Sequence, residues 1–231
     1  MPKRNQGLFS KNIDDICLMS DQVCAVRRLP LTALSVEELV GSFTYSGKNL
    51  ECDPSVENAK LPPAIVAFYY FLFKKLSVPT EEEFINAYSE VHEIDLTNGP
   101  VIYREKNYPA AAVRARLLRT YPSILRDFHF YLLLKESGRF QAVRYSLATD
   151  YHKGIDISVA CNDEEFGLSI LLNTKRGRYF KKRKTHRHDY SRVKEIVLEV
   201  DFNSLRRCGD FFLLCEHHID SVIKLIDDAR S

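Results

Sequence analysis

Apolar residues recur at helical spacing through the first half of the chain, and the pattern changes to strand-like alternation after Gly138. Residues 1–20 are polar and read as loose chain. Ser35 reads as an N-cap with Glu38 three positions on, as in a capping box. Residues 45–60 are loop-like. Pro62-Pro63 opens an aromatic helix over 64–76, and Pro79-Thr80-Glu81-Glu82-Glu83 opens a second that runs to about His92. Acids in its first turn suit the helix dipole. Asn98-Gly99-Pro100 breaks the chain. A further helical stretch starts near Pro109, is restarted by Pro122, and stops at Gly138. Arg116 and Arg119 share a face of it, with Arg114 nearby, which reads as a solvated face ahead of a phosphate contact.

Strand patterns follow at 140–147, 154–160, 166–173, 195–202 and 210–216. A charged turn spans 161–165. Residues 176–190 are highly basic and read as partly helical. Residues 218–230 form an amphipathic helix, with Ile219, Val222, Ile223 and Ile226 at helical spacing. The order from residue 123 is therefore α-β-β-β-α-β-β-α. The expected class is α/β, with a mainly helical region over 1–108 and an α/β domain over 109–231.

Composition changes this picture in one respect. At 231 residues, 45% hydrophobic and 28% charged, the chain can bury a sizeable core. Net charge is only +2, yet residues 175–194 hold ten Lys/Arg and a single acid, Asp189. Local positive charge of that kind is the footprint of a nucleic-acid contact. The six cysteines lack CxxC spacing and read as reduced thiols of a cytoplasmic protein. Cys17 and Cys24 have no matching Cys/His pair, so zinc is not expected there. The N-terminus has no apolar signal-peptide core. The longest apolar run, residues 64–73, is too short to span a bilayer, so no membrane association is expected.

The candidate chemistry lies between residues 154 and 175. Asp156 stands inside an apolar strand pattern, where a carboxylate needs a partner. The next strand ends in Asn173-Thr174-Lys175. Phosphodiester hydrolysis needs a magnesium ion held by one or two carboxylates, with waters and a phosphate oxygen. A lysine beside it positions water or stabilises charge. His186 and His188, at i,i+2, do not share a helix face and have no partner at zinc spacing. No GxSxG, P-loop or GxGxxG occurs, so hydrolase triads and nucleotide-binding folds find no support.

This arrangement resembles the restriction-endonuclease-like fold, the PD-(D/E)xK nuclease superfamily, over roughly residues 123–231. In that superfamily a helix packs beside a three-stranded meander, the second strand supplies an Asp, the third supplies (D/E)-x-K, and the next helix often meets DNA. The resemblance implies an α-β-β-β-α-β core, with Asp156 as the central metal ligand and Lys175 and position 173 as its catalytic companions. Asn173 stands where the superfamily has an acid. Asp127 or Glu136 from the first helix, or Asp150 in the loop, would then complete the ligand set for Mg²⁺ or Mn²⁺. Arg176, Arg178, Lys181, Lys182, Arg183, Lys184 and Arg187 would bind nucleic acid. The implied function is a metal-dependent DNA endonuclease of restriction, defence or mobile-element processing. RNA is the other candidate substrate, and a homodimer would supply two sites for two strands. The alternative is a non-catalytic nucleic-acid-binding protein on a degenerate nuclease fold.

Overall fold

A computed structural model of the chain describes residues 16–20, 23–27, 29–146, 155–174 and 194–231. The chain is mixed α/β, with small sheets and helices in alternation. A hairpin of β1 (Ile16–Ser20) and β2 (Val23–Arg27) comes first, over part of a segment read as loose chain. Helix α1 (Ala33–Gly41) is capped by Thr32, not by Ser35. Thr32 Oγ1 accepts the Ser35 amide at 3.1 Å, and Ser35 Oγ accepts the Thr32 amide at 2.9 Å. Ser35 is thus the inner partner of the box. The earlier start lets both Ala33 and Val36 be buried.

The short α2 (Pro54–Glu57) precedes α3 (Ala64–Lys75), which ends at Leu76 with φ 54°, and α4 (Glu81–His92). Thr80 and Glu83 form the capping box of α4. A hairpin that alternation did not predict, β3 (Pro100–Tyr103) and β4 (Lys106–Pro109), turns through Arg104 and Glu105, both at positive φ. It leads into α5 (Ala110–Glu136), one continuous helix of 27 residues. Pro122 does not break it. Thr120 Oγ1 donates to Arg116 O at 2.9 Å and Ser123 Oγ to Thr120 O at 2.8 Å, adding side-chain bonds to the turns on either side of the proline. Tyr121 and Leu125, fully buried on either side, hold the helix through this point.

Helix α5 is the spine. Phe68 from α3 meets Phe128 edge-on, with ring centroids 5.5 Å apart. Tyr145 stacks on Tyr69 and Tyr131 at 5.4 and 5.7 Å, joining α3 and α5 to the chain leaving the first sheet strand. One hydrophobic core runs from Ala33 to Ile226, across the boundary at residue 108 that the order of helix and strand patterns suggested.

The main sheet has the order β5-β6-β7-β8: β5 (Ala142–Arg144), β6 (Ile157–Cys161), β7 (Glu164–Leu172) and β8 (Lys194–Val200). The first three form an antiparallel meander, and β8 runs parallel to β7. Parallel neighbours require a crossover connection, and the basic run lies in sequence between these two strands. Ile157, Val159, Phe166, Leu168, Ile196 and Leu198 are buried on one sheet face. The chain closes with a separate hairpin, β9 (Arg206–Cys208) and β10 (Phe211–Leu213), and with α6 (Glu216–Arg230). At the end of α6, Arg230 Nε bonds Glu164 Oε2 at 2.9 Å and its guanidinium lies 5.3 Å from the Phe166 ring centroid.

The turn of the last hairpin requires glycine. Gly209 has φ +57°, and a Cβ there would lie 2.9 Å from the Gly41 carbonyl oxygen. Both the left-handed backbone and this close approach oppose a side chain. Gly209→Ala is expected to cost more than about 1 kcal/mol in denaturant unfolding. An unchanged midpoint would show that the hairpin moves off α1 freely.

Candidate functional site

The turn between β6 and β7 sets the geometry of the site. Asn162 and Asp163 both take positive φ, 50° and 64°, the pattern of a two-residue type I′ hairpin turn. That turn fixes the pairing of Ile157 with Leu168 and of Ser158 with Gly167. A slip of one residue would exchange the two faces. In this register the face opposite the apolar one carries Ser158, Gly167 and Ser169, with Glu195 and Val197 from β8.

Asp156 enters this face just before β6. Its amide donates to Leu168 O at 3.1 Å, and its Oδ2 accepts the Ile170 amide at 2.7 Å. The residue is buried. The carboxylate thus extends the β6–β7 pairing past the last paired residues, which satisfies the partner rule for an acid in an apolar strand. Across β7, Ser169 Oγ donates to Glu195 Oε1 at 2.6 Å. Asp156 and Glu195 therefore lie on the two sides of β7.

Asn173 is exposed at the end of β7, where its amide donates to Val200 O at 2.8 Å. It lies three positions after Ile170, about 10 Å along a strand. Two donors to one magnesium ion lie roughly 3 Å apart, given metal–oxygen distances of about 2.1 Å. Asp156 and Asn173 are not placed as one ligand pair.

The helix acids are elsewhere. Glu136 Oε1 accepts the Ala33 amide at 2.9 Å, where a carboxylate suits the positive end of α1. Asp127 lies beside Arg126, with 3.6 Å between Oδ1 and Nε. Both belong to α5, whose Phe128 and Tyr131 pack toward Tyr145 on the apolar side. The described residues do not gather Asp127, Glu136, Asp156 and Asn173 at one point. Asp150, Lys175, Arg176, Arg178, Lys181, Lys182, Arg183, Lys184 and Arg187 lie outside the described residues, as do His186 and His188.

The arginines of α5 have a structural use. Arg116 donates to the carbonyls of Val56 and Ala59, the latter at 3.0 Å. Arg119 reaches the Leu50 and Glu51 carbonyls and pairs with Glu57. Together they fasten the 50–59 loop to the spine, and Arg114 pairs with Glu82. A further buried tie joins α5, α1 and β9. His129 Nε2 lies 2.9 Å from Glu37 Oε1, and Arg206 pairs with the same carboxylate. Burial holds the His129 imidazole below its usual range, against the opposing effect of Glu37.

Two features carry no clear mark in the sequence. Glu195 opens a strand pattern, and only the parallel register with β7 brings it to Ser169. Cys215, His217 and His218, at the start of α6, are the one group of three metal-type side chains found together among the described residues. Their signal is the run Cys-Glu-His-His immediately after an apolar strand.

For a hard divalent cation the polar sheet face offers the carboxylates of Asp156 and Glu195, each already hydrogen-bonded within the sheet. That meets the minimum for magnesium, which keeps several waters and binds through one or two carboxylates plus phosphate. No helix among the described residues is long and apolar enough to cross a membrane. No family model, curated protein or solved structure matches this chain.

Proposed function

We propose that the chain is a metal-dependent endonuclease acting on DNA, of the restriction-endonuclease-like class. The observation that supports it best is the sheet. A long helix, α5, precedes an antiparallel meander, and a fourth strand lies parallel to the third. That is the order the class uses, with Asp156 entering the second strand and Asn173-Thr174-Lys175 leaving the third. Nine of the ten Lys/Arg of residues 175–194 fall in sequence between β7 and β8, and the tenth, Lys194, opens β8. Asp156 would hold the cation and Lys175 would position the attacking water. A bound Mg²⁺ supplies charge stabilisation at the phosphate and a more acidic water. The basic run would hold the DNA backbone.

A second reading, binding without cleavage, draws on different observations. Asn173 is neutral, Glu136 is engaged at the start of α1, and Asp156 already accepts a backbone amide. Plasmid and single-stranded DNA, each incubated with and without Mg²⁺ or Mn²⁺, separate the two. The endonuclease reading expects metal-dependent nicking or linearisation, lost in Lys175→Ala. Binding alone, with cleavage gained only in Asn173→Glu, would establish a degenerate site. In either case, neutralising Arg178, Lys181, Lys182, Arg183 and Lys184 together should flatten the salt dependence, by about 0.9 in log–log slope for each phosphate no longer neutralised. An unchanged slope would assign the run to an ordinary solvated surface.

A further inference from the structure

We propose that Cys215, His217 and His218 form a zinc-binding site at the N-terminus of α6, independent of the polar sheet face. Cys215 Sγ lies 3.3 Å from His217 Nδ1 and 3.6 Å from His218 Nδ1. The three ligand atoms lie within 4.8 Å of one another. Tetrahedral zinc, with Zn–S near 2.3 Å and Zn–N near 2.05 Å, separates a sulfur and a nitrogen ligand by about 3.6 Å. Each sulfur–nitrogen distance is therefore within a few tenths of an ångström of the separation that tetrahedral zinc sets.

The hydrogen-bond partners suit one histidine tautomer, although His218 Nδ1 also lies 3.3 Å from Cys215 O. Ser204 Oγ donates its proton to Asp201 O at 2.7 Å. The same oxygen, 3.1 Å from His218 Nε2, must then accept the Nε2 proton. That leaves His218 Nδ1 with a lone pair, directed toward the Cys215 amide, which donates to it at 3.1 Å. A ligating histidine whose other ring nitrogen is held by a hydrogen-bond partner is the usual outer-shell arrangement of a metal site. Metal binding would exchange the amide bond to Nδ1 for coordination and would release the thiol proton.

Helix capping accounts for part of this cluster and not the rest. Cys215 and His218 form the reciprocal cap of α6. His217 has no part in that cap, yet its Nδ1 is the nearer of the two imidazole nitrogens to the sulfur. His217 is exposed and Cys215 half-buried, so an ion has a path from solvent. The thiolate and imidazole set selects zinc over magnesium or calcium, which prefer oxygen donors. Three protein ligands leave a fourth position for water or an external ligand.

Cobalt(II) titration of the full chain tests this directly, because a cysteine ligand gives a thiolate-to-cobalt charge-transfer band. One equivalent should bind with the intensity of a single thiolate, Zn²⁺ should displace it, and excess Mg²⁺ should not. Cys215→Ser should abolish the band, while Cys52→Ser, at an exposed thiol, leaves it intact. Ser204→Ala should weaken binding by about 10–100-fold, as loss of an outer-shell partner does, and His217→Ala by more. Since His217 is exposed, its variant should fold, as circular dichroism would verify. A wild-type chain without the band, a band retained in Cys215→Ser, or undiminished affinity in His217→Ala would each overturn the site.

Discussion

Asp156→Ala is expected to lower stability by about 1–3 kcal/mol, because it leaves the Ile170 amide of β7 without its side-chain acceptor in a partly buried position. If the chain cuts DNA as proposed, the same change should abolish cleavage with DNA affinity retained. Asp156→Asn separates these effects. The carboxamide oxygen can still accept the Ile170 amide, so most of the stability should return. The negative charge that the proposed nuclease would need to hold a hard cation does not return, so on that reading cleavage should stay lost. Urea unfolding of both variants and of the wild type, beside cleavage of one plasmid substrate, makes the comparison. Wild-type cutting by Asp156→Asn would remove Asp156 from the metal site and leave it a purely structural carboxylate. Equal destabilisation in both variants would mean that the Ile170 bond needs the charge and not only an acceptor.

How far the sequence could be read depended on whether a signal was local. Thr80 and Glu83 cap α4 as their spacing implies, and Gly138, at φ +65°, stops α5 within its own last turn. A turn between two strands was legible near 161–165, but it is only Asn162-Asp163, and Cys161, Glu164 and Glu165 belong to the strands. What was not legible was set by residues distant in sequence. Pro122 reads as a break, yet packing around Tyr121 and Leu125 carries the helix through it. Arg116 and Arg119 read as a solvated face, yet they turn inward because the 50–59 loop offers carbonyls that need donors. Glu136 is a candidate ligand by resemblance, but the start of α1, 103 residues earlier, claims it. For Asp156, the strand and the need for a partner were legible. Its partner, a backbone amide on β7, depends on a register that only the folded sheet fixes.

Phe128→Ala is expected to have the largest effect on the fold as a whole. The side chain is fully buried in α5, between Phe68 of α3 at 5.5 Å and Tyr145, beside the first sheet strand, at 6.0 Å. Truncation removes a whole ring and leaves a cavity that rigid helices on either side cannot close, at a cost of about 3–5 kcal/mol. Its place also makes it a probe of cooperativity. The helical half and the sheet half share one core through α5, so losing Phe128 should weaken both together. Calorimetry should then find one transition, shifted as a unit to lower temperature. Two transitions, only one of them moved by the substitution, would divide the chain into separately folding halves and place the boundary within the spine.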